Sequence, residues 1–99
     1  MREIDLAFTK LHILYHAAKE EVYGVGLVEE LGRHGYKLSF GTLYPTLAKM
    51  VRMELLSLET RIVNHKQRKY YRITPAGLKE LEKVKAKIKE LYEEVIEDK

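Results

Sequence analysis

Apolar residues at Phe8, Leu11, Leu14, Tyr15 and Ala18 recur at helical spacing and predict a first helix over roughly residues 5–20. Val22-Tyr23-Gly24 breaks that pattern. Leu27, Val28 and Leu31 then give a short second helix, and Gly35 suits the left-handed residue that stops it. A third amphipathic segment has Leu43, Leu47, Met50 and Val51 as its buried stripe. Ser39 can cap it by accepting an orphan amide of the first turn. Pro45 then sits early, where a missing amide hydrogen costs least; with Thr42 as the cap instead, Pro45 falls inside the first turn. The spacing leaves both caps open.

Beyond that helix the period changes from helical to two. Leu56-Ser57-Leu58-Glu59-Thr60-Arg61-Ile62 alternates apolar and polar positions, as a half-buried strand does. Asn64-His65-Lys66-Gln67 reads as a polar turn in which Asn64 can take a positive φ. Arg68-Lys69-Tyr70-Tyr71-Arg72-Ile73 is the returning strand, with one tyrosine packed inward and the other outward. Thr74-Pro75 is an N-cap followed by proline at the first helical position, and a last helix runs to about Glu97. The order helix, helix, helix, strand, strand, long helix predicts a mainly α fold with a small β-hairpin, a winged helix-turn-helix. Its third helix is the recognition helix and its hairpin the wing. Residues 1–75 form the winged-helix part and 76–99 the C-terminal dimerisation helix, within one compact domain of 99 residues.

Charge sharpens this picture. The formal net charge is only +3. Between Leu31 and Arg72, however, nine Lys and Arg face two Glu, so this segment carries +7 and the remainder of the chain −4. Basic charge gathered in the middle of a small domain marks a nucleic-acid surface. There is no cysteine, which excludes a disulfide framework and thiolate metal sites. No apolar run approaches the roughly 18 residues that span a bilayer, and the N-terminus lacks a secretory pattern. A soluble, cytoplasmic protein without a membrane partner is expected.

With its buried stripe subtracted, the third helix shows Thr42, Pro45, Lys49 and Arg52 at steps of three, four and three, flanked by Tyr44 and Thr46. This face has two cations, several hydroxyls and no anion. Lys and Arg reach guanine acceptors or phosphates, and hydroxyls bond phosphates or base edges. A solvated face that is merely basic would look the same, but the wing tips the balance. Arg61, His65, Lys66, Arg68, Lys69 and Arg72 lie on or near it. Exposed hairpins carry a cation or two to block edge pairing, which explains six poorly. DNA-contact candidates are therefore Ser39, Thr42, Tyr44, Pro45, Lys49 and Arg52 on the helix, and Arg61, Lys66, Arg68, Lys69 and Tyr70 on the wing.

The segments Leu38-Ser39-Phe40-Gly41-Thr42-Leu43-Tyr44-Pro45-Thr46-Leu47 and Lys69-Tyr70-Tyr71-Arg72-Ile73-Thr74-Pro75-Ala76-Gly77-Leu78 resemble, in order and separation, the hallmark segments of the PadR-like transcriptional regulators. With Gly24 and Leu27, the resemblance covers about residues 10–81. It implies a dimeric winged-helix repressor on a pseudo-palindromic operator, touching DNA through the helix that starts near Ser39 and through the wing. It implies dimerisation through the C-terminal helix with help from the first. A single C-terminal helix is similar to the compact branch of the family, some of whose members sense aromatic or drug-like effectors. A small hydrophobic or aromatic effector is thus an implied partner. The chain departs from the usual pattern at Tyr23 (commonly His), Gly26 (commonly Glu) and Glu54 (commonly Gly), and its wing turn lacks the common Gly and Pro. It has no Trp, so any effector pocket is lined by Tyr and Phe.

In the last helix Leu81, Val84, Ile88, Leu91 and Val95 step by three, four, three and four, a coiled-coil seam over two heptads widened by Leu78 and Tyr92. A helix this polar and long is not stable alone; it either folds back onto its own domain or pairs with a second copy, and the seam favours the pair. These residues are expected to join two copies and to set two recognition helices about one DNA turn (~34 Å) apart. The alternative is a winged helix that docks proteins and not DNA; such surfaces favour exposed aromatic and aliphatic residues, and Tyr44 is the only large apolar candidate here. His12 and His16, four apart, make an incomplete metal pair with at most Glu20 nearby; on a polar side with Thr9 and Lys19, they read as structural or surface residues. Gly24-Val25-Gly26 lacks the Lys-Ser/Thr and the preceding strand of a phosphate loop. No nucleophile, base and acid form a set, so neither an enzyme, a cofactor nor a metal is expected.

Overall fold

A computed structural model describes residues 1–99. Helix α1 (Glu3–Lys19) leads into a two-residue strand β1 (Val22–Tyr23) and helix α2 (Gly24–Arg33). Helix α3 (Phe40–Arg52), the hairpin β2 (Leu56–Val63) and β3 (Lys66–Ile73), and helix α4 (Pro75–Leu91) follow. A last, wider helical turn spans Tyr92–Ile96. The result is four helices and one antiparallel sheet of order β1-β3-β2, the predicted winged helix with one added strand. Val22 pairs with Tyr71 and Tyr23 with Tyr70, so the break after α1 also seals the outer edge of the wing.

The local choices follow from single residues. Gly35 takes φ +86° after α2, and the Tyr36 amide bonds back to the Leu31 carbonyl at 3.0 Å, a left-handed stop. Ser39, not Thr42, caps α3: its hydroxyl accepts the Thr42 amide at 3.3 Å. Pro45 therefore lies inside the helix, past the first turn. The Gly41 carbonyl loses its helical donor there, but Gly41 is exposed and water can serve it. Asn64 (φ 50°) and His65 (φ 65°) are both left-handed and close the hairpin in two residues, the backbone of a type I′ turn whose twist matches its strands. The predicted four-residue turn is shorter because Lys66 and Gln67 join the ladder opposite Val63 and Ile62.

Ile13, Leu14, Leu27, Leu31, Leu43, Leu47, Met50, Leu56 and Tyr71 make the centre of the core. Tyr71 packs inward, and Tyr70 lies on the other face of the sheet beside Tyr23, ring centroids 5.9 Å apart. The α1 stripe differs from expectation. Thr9, Ile13, Leu14 and Ala17 are buried, whereas Phe8 (47%) and Tyr15 (43%) stay exposed. Helix α1 thus has two apolar faces, one spent on the core and one turned outward.

Thr74 caps α4, accepting the Gly77 amide at 2.9 Å, with Pro75 first in the helix. A side chain at Gly77 would meet the Leu55 carbonyl oxygen at 2.2 Å; glycine lets α4 start against the turn before β2. Leu81 is 6% exposed within this chain's own core, so it seats α4 and does not belong to the outward seam expected for it. Beyond it α4 runs on beside α1 with most of its residues exposed, and the whole molecule spans 55 Å along its long axis.

Candidate nucleic-acid interface

Burial on α3 falls on Leu43, Thr46, Leu47 and Met50. Gly41, Pro45, Ala48 and Arg52, spaced four, three and four, are exposed and opposite that stripe. Ala48 was missed by sequence reasoning, although it sits three residues after Pro45; a methyl carries no charge and draws no attention. Thr46 turns inward, its hydroxyl donating to the Thr42 carbonyl at 2.8 Å, and leaves the outer face. Ser39 is occupied as the cap and also donates to the Thr42 hydroxyl at 3.3 Å. Thr42 is half-buried. Lys49 lies on the flank of α3 and lines the groove toward α1 and α4 with Met53 and Glu80.

On the opposite flank Tyr44 stacks on Phe40, centroids 5.9 Å apart. Its hydroxyl lies so close to Gly24 that a Cβ there would be 2.3 Å from it. Tyr44 thereby joins α3 to the start of α2, a contact that requires glycine at 24. Around it opens a cleft of about 460 Å³ lined by Tyr23, Gly24, Val25, Tyr44, Gln67, Arg68 and Lys69. The N-terminus of α2 has no side-chain cap, so its first amides keep their hydrogens for another acceptor. Wing, recognition helix and an uncapped helix start meet at one place.

The wing cations divide into two sets. Arg61 is held by carboxylates: its two terminal nitrogens donate to both oxygens of Glu21 at 2.7 Å, and its Nε donates to Glu59 at 2.9 Å. Arg72 donates to the same Glu21 at 2.9 Å. Hydrogen bonds from Arg61 hold the Glu21 carboxyl at about 2, well below the usual range, and Arg72 adds to this. Arg61, in turn, is raised above its ordinary value, first by Glu21 and then by Glu59. The expectation of a free Arg61 is therefore revised; Glu21, outside the segment counted as basic, cancels it. Arg61 also lies 4.2 Å over the Tyr70 ring, so Tyr70 is half-buried as its platform. By contrast Arg52, Lys66, Arg68 and Lys69 are exposed and make no ion pair.

Of the residues expected to join two copies, Ile88 (46%), Leu91 (58%), Tyr92 (51%) and Val95 (71%) are exposed, and Val84 is half-buried. Phe8 and Ile88 also line a groove of about 670 Å³ between α1 and α4, with Leu11, Met50, Met53 and Leu91. At the other end of α1, His12 and His16 do not lie on a solvated polar face: Thr9 is fully buried and both histidines are half-buried. They meet His34, whose position 18 residues beyond His16 gave no spacing signal. Burial, then the nearby His34, lowers the His12 pKa. No helix is long and apolar enough to cross a membrane.

Comparison with known proteins agrees with this geometry. The model of the transcriptional regulator PadR-like family matches residues 13–83. The chain is 48% identical over 96 residues to the transcriptional regulator Rv3488 of Mycobacterium tuberculosis, covering 97% of this chain and 90% of that protein. Among solved structures, a PadR-like transcriptional regulator of Bacillus cereus is similar with a TM-score of 0.85 at 32% identity, over 97% of this chain and 95% of the other. A PadR family regulator of Eggerthella lenta is similar with a TM-score of 0.81 at 32% identity, over 95% and 87%.

Proposed function

The chain belongs to the PadR-like family of transcriptional regulators, and we propose that it acts by binding duplex DNA as a homodimer, with α3 in the major groove and the wing along the flanking backbone. The observation that carries this reading is the cleft in which unpaired Arg68 and Lys69 face Tyr44 and the uncapped start of α2. A phosphate fits that chemistry: helix N-terminal amides and two cations around an open, polar space. Arg52 is placed to reach guanine acceptors, and Ala48 and Pro45 offer apolar contact to a thymine methyl. Thr42 and Lys49 serve the flank nearer α1, and Lys66 extends the phosphate contacts to the wing tip. Ser39, Tyr70 and Arg61 hold the machinery in place.

Dimerisation is supported by the outward apolar faces of α1 and α4. Phe8, Tyr15, Ile88, Leu91, Tyr92 and Val95 form more exposed apolar surface than a monomer of this size keeps without a use. A second copy laid on α4 would cover it and close the groove between α1 and α4. That groove is where a small hydrophobic or aromatic effector would lodge, releasing a repressor from its operator. A winged-helix regulator of this kind is not an enzyme.

A mobility-shift assay on duplex from upstream of the chain's own gene, alongside light scattering at micromolar concentration, tests the reading. The expected result is a two-chain species that retards this duplex at about 10 nM and prefers it to random DNA by at least about 1,000-fold. A monomer with no preference, or no shift below about 100 μM at physiological salt, where even non-specific binding is seen, would leave α3 as a protein-docking surface instead.

A further inference from the structure

One side-chain cluster takes no part in the surface described above. His12 and His16 stand a turn apart on α1, and His34 ends α2. One ring nitrogen from each of the three lies within 4.8 Å of the other two. The His12 and His34 rings stack with centroids 4.6 Å apart, and the His16 ring is 6.2 Å from that of His34. One oxygen of Glu30, a turn before His34, lies 3.8 Å from His16 Nε2 and 3.7 Å from His34 Nε2. His16 Nε2 is buried and has no hydrogen-bond partner. A metal ion takes imidazole through a ring nitrogen lone pair, and each of the three rings offers one such nitrogen to the same small space.

We propose that His12, His16 and His34, with Glu30 as the fourth ligand, bind a divalent transition-metal ion of the zinc class. Three imidazoles and one carboxylate are a borderline donor set that suits zinc, cobalt or nickel and not calcium or magnesium. Two histidines four apart on one helix face share an ion as readily as in known zinc helices. Around a tetrahedral zinc the ligand nitrogens sit about 3.3 Å apart, so these rings must close by about 1.5 Å, which rotation about their side-chain bonds supplies. The buried His16 nitrogen gains the partner it lacks. His12 and His34 also line a pocket of about 290 Å³ with Phe8, Tyr15, Leu81 and Val84, so apolar walls shield one side of the ion. Bound there, the ion ties the C-terminal half of α1 to the end of α2. The site stands apart from the cationic cleft, and its test needs no DNA.

The full chain, free of any histidine tag and stripped with chelator, is titrated with Zn²⁺ alone by calorimetry and with Co²⁺ by visible absorption. The expected result is one ion per chain with a dissociation constant below about 1 μM, and the intense visible bands of tetrahedral cobalt. His34→Asn and His12→Asn should each weaken uptake by about 100-fold or more while keeping the parent's circular dichroism; His34 is exposed enough (43%) for that change to be tolerated. His65→Asn, at the wing tip, should change nothing. No saturable uptake by the parent, parent-like affinity in both His34→Asn and His12→Asn, or an equal loss in His65→Asn would overturn the assignment.

Discussion

Lys69→Ala separates the free cations of the wing from the paired ones. Taking Arg52, Lys66, Arg68 and Lys69, which are exposed and without carboxylate partners, as the phosphate contacts of each chain, and leaving Lys49 on the flank of α3 aside, gives eight charges in a dimer. If each neutralises one phosphate, log K falls with log salt at a slope of about −7, taking about −0.9 per phosphate. Lys69→Ala removes two of the eight, so the slope should become shallower by about 2. The same loss lowers affinity near 0.1 M salt by up to about 60-fold and vanishes on extrapolation to 1 M. Arg61→Gln should behave differently. Its charge is already matched by Glu21 and Glu59, so the slope should move by less than about 0.5 while thermal stability drops. Fluorescence anisotropy with a labelled operator duplex, between about 50 and 200 mM KCl, reads both variants. A Lys69→Ala slope equal to the parent's, or an Arg61→Gln slope as shallow as that of Lys69→Ala, would refute this division of the wing.

Three further outcomes test the fold around the site. Glu54, with φ 62°, occupies a left-handed position after α3; Glu54→Gly relieves that conformation and should raise stability in urea by about 1 kcal/mol, and a loss would contradict the strain. Gly77→Ala should lower it by about 2 kcal/mol, because a Cβ 2.2 Å from the Leu55 oxygen forces the start of α4 off the sheet; an unchanged urea midpoint would mean the contact yields freely. Glu21 is depressed in the folded state to about 2, so its ion pairs contribute fully above about pH 4.5 and fade as pH falls toward 2. The melting-temperature gap between parent and Glu21→Gln should narrow over that window and stay constant above it.

Periodicity read the scaffold because burial imposes it. Leu43, Leu47 and Met50 are spaced as one face of a helix must be, and Leu56 with Tyr71 as the inner face of a hairpin must be. Thr74-Pro75 and Gly35 mark ends through backbone chemistry that needs no partner. What periodicity cannot tell is which of two apolar faces meets the core. On α1 the run Phe8, Leu11, Tyr15 was the more regular, yet Thr9, Ile13 and Ala17 went inside, since a small hydroxyl and a methyl let α1 approach the sheet closely. Leu81 was assigned to the seam for the same reason: a heptad shows spacing and not the partner. Strand β1, two residues long, is too short to show any period, and His34 joins His12 and His16 only through the packing of α2 on α1.

The electrostatic surprise has a different origin. Charge counted along the chain treats neighbours in sequence as neighbours in space, and Glu21 defeats that: it lies 40 residues before Arg61. Its carboxylate sits where β1 begins, and β1 lies against β3, so it reaches both Arg61 and Arg72. The pairing does more than subtract charge. Arg61 on β2 is fixed between Glu21 and the Tyr70 ring, and Tyr70 is pressed against Tyr23. The hairpin is thereby braced against the start of α2, the other wall of the cleft that holds Arg68 and Lys69. A wing left to swing would spread its cations over many phosphate positions, at an entropic cost to any one register. Held by Glu21, it presents them at a fixed distance from Tyr44 and the α2 amides. Under the proposed mode of binding, the arginine that the sequence offered as a phosphate ligand would serve DNA binding by staying in the protein and aiming its neighbours.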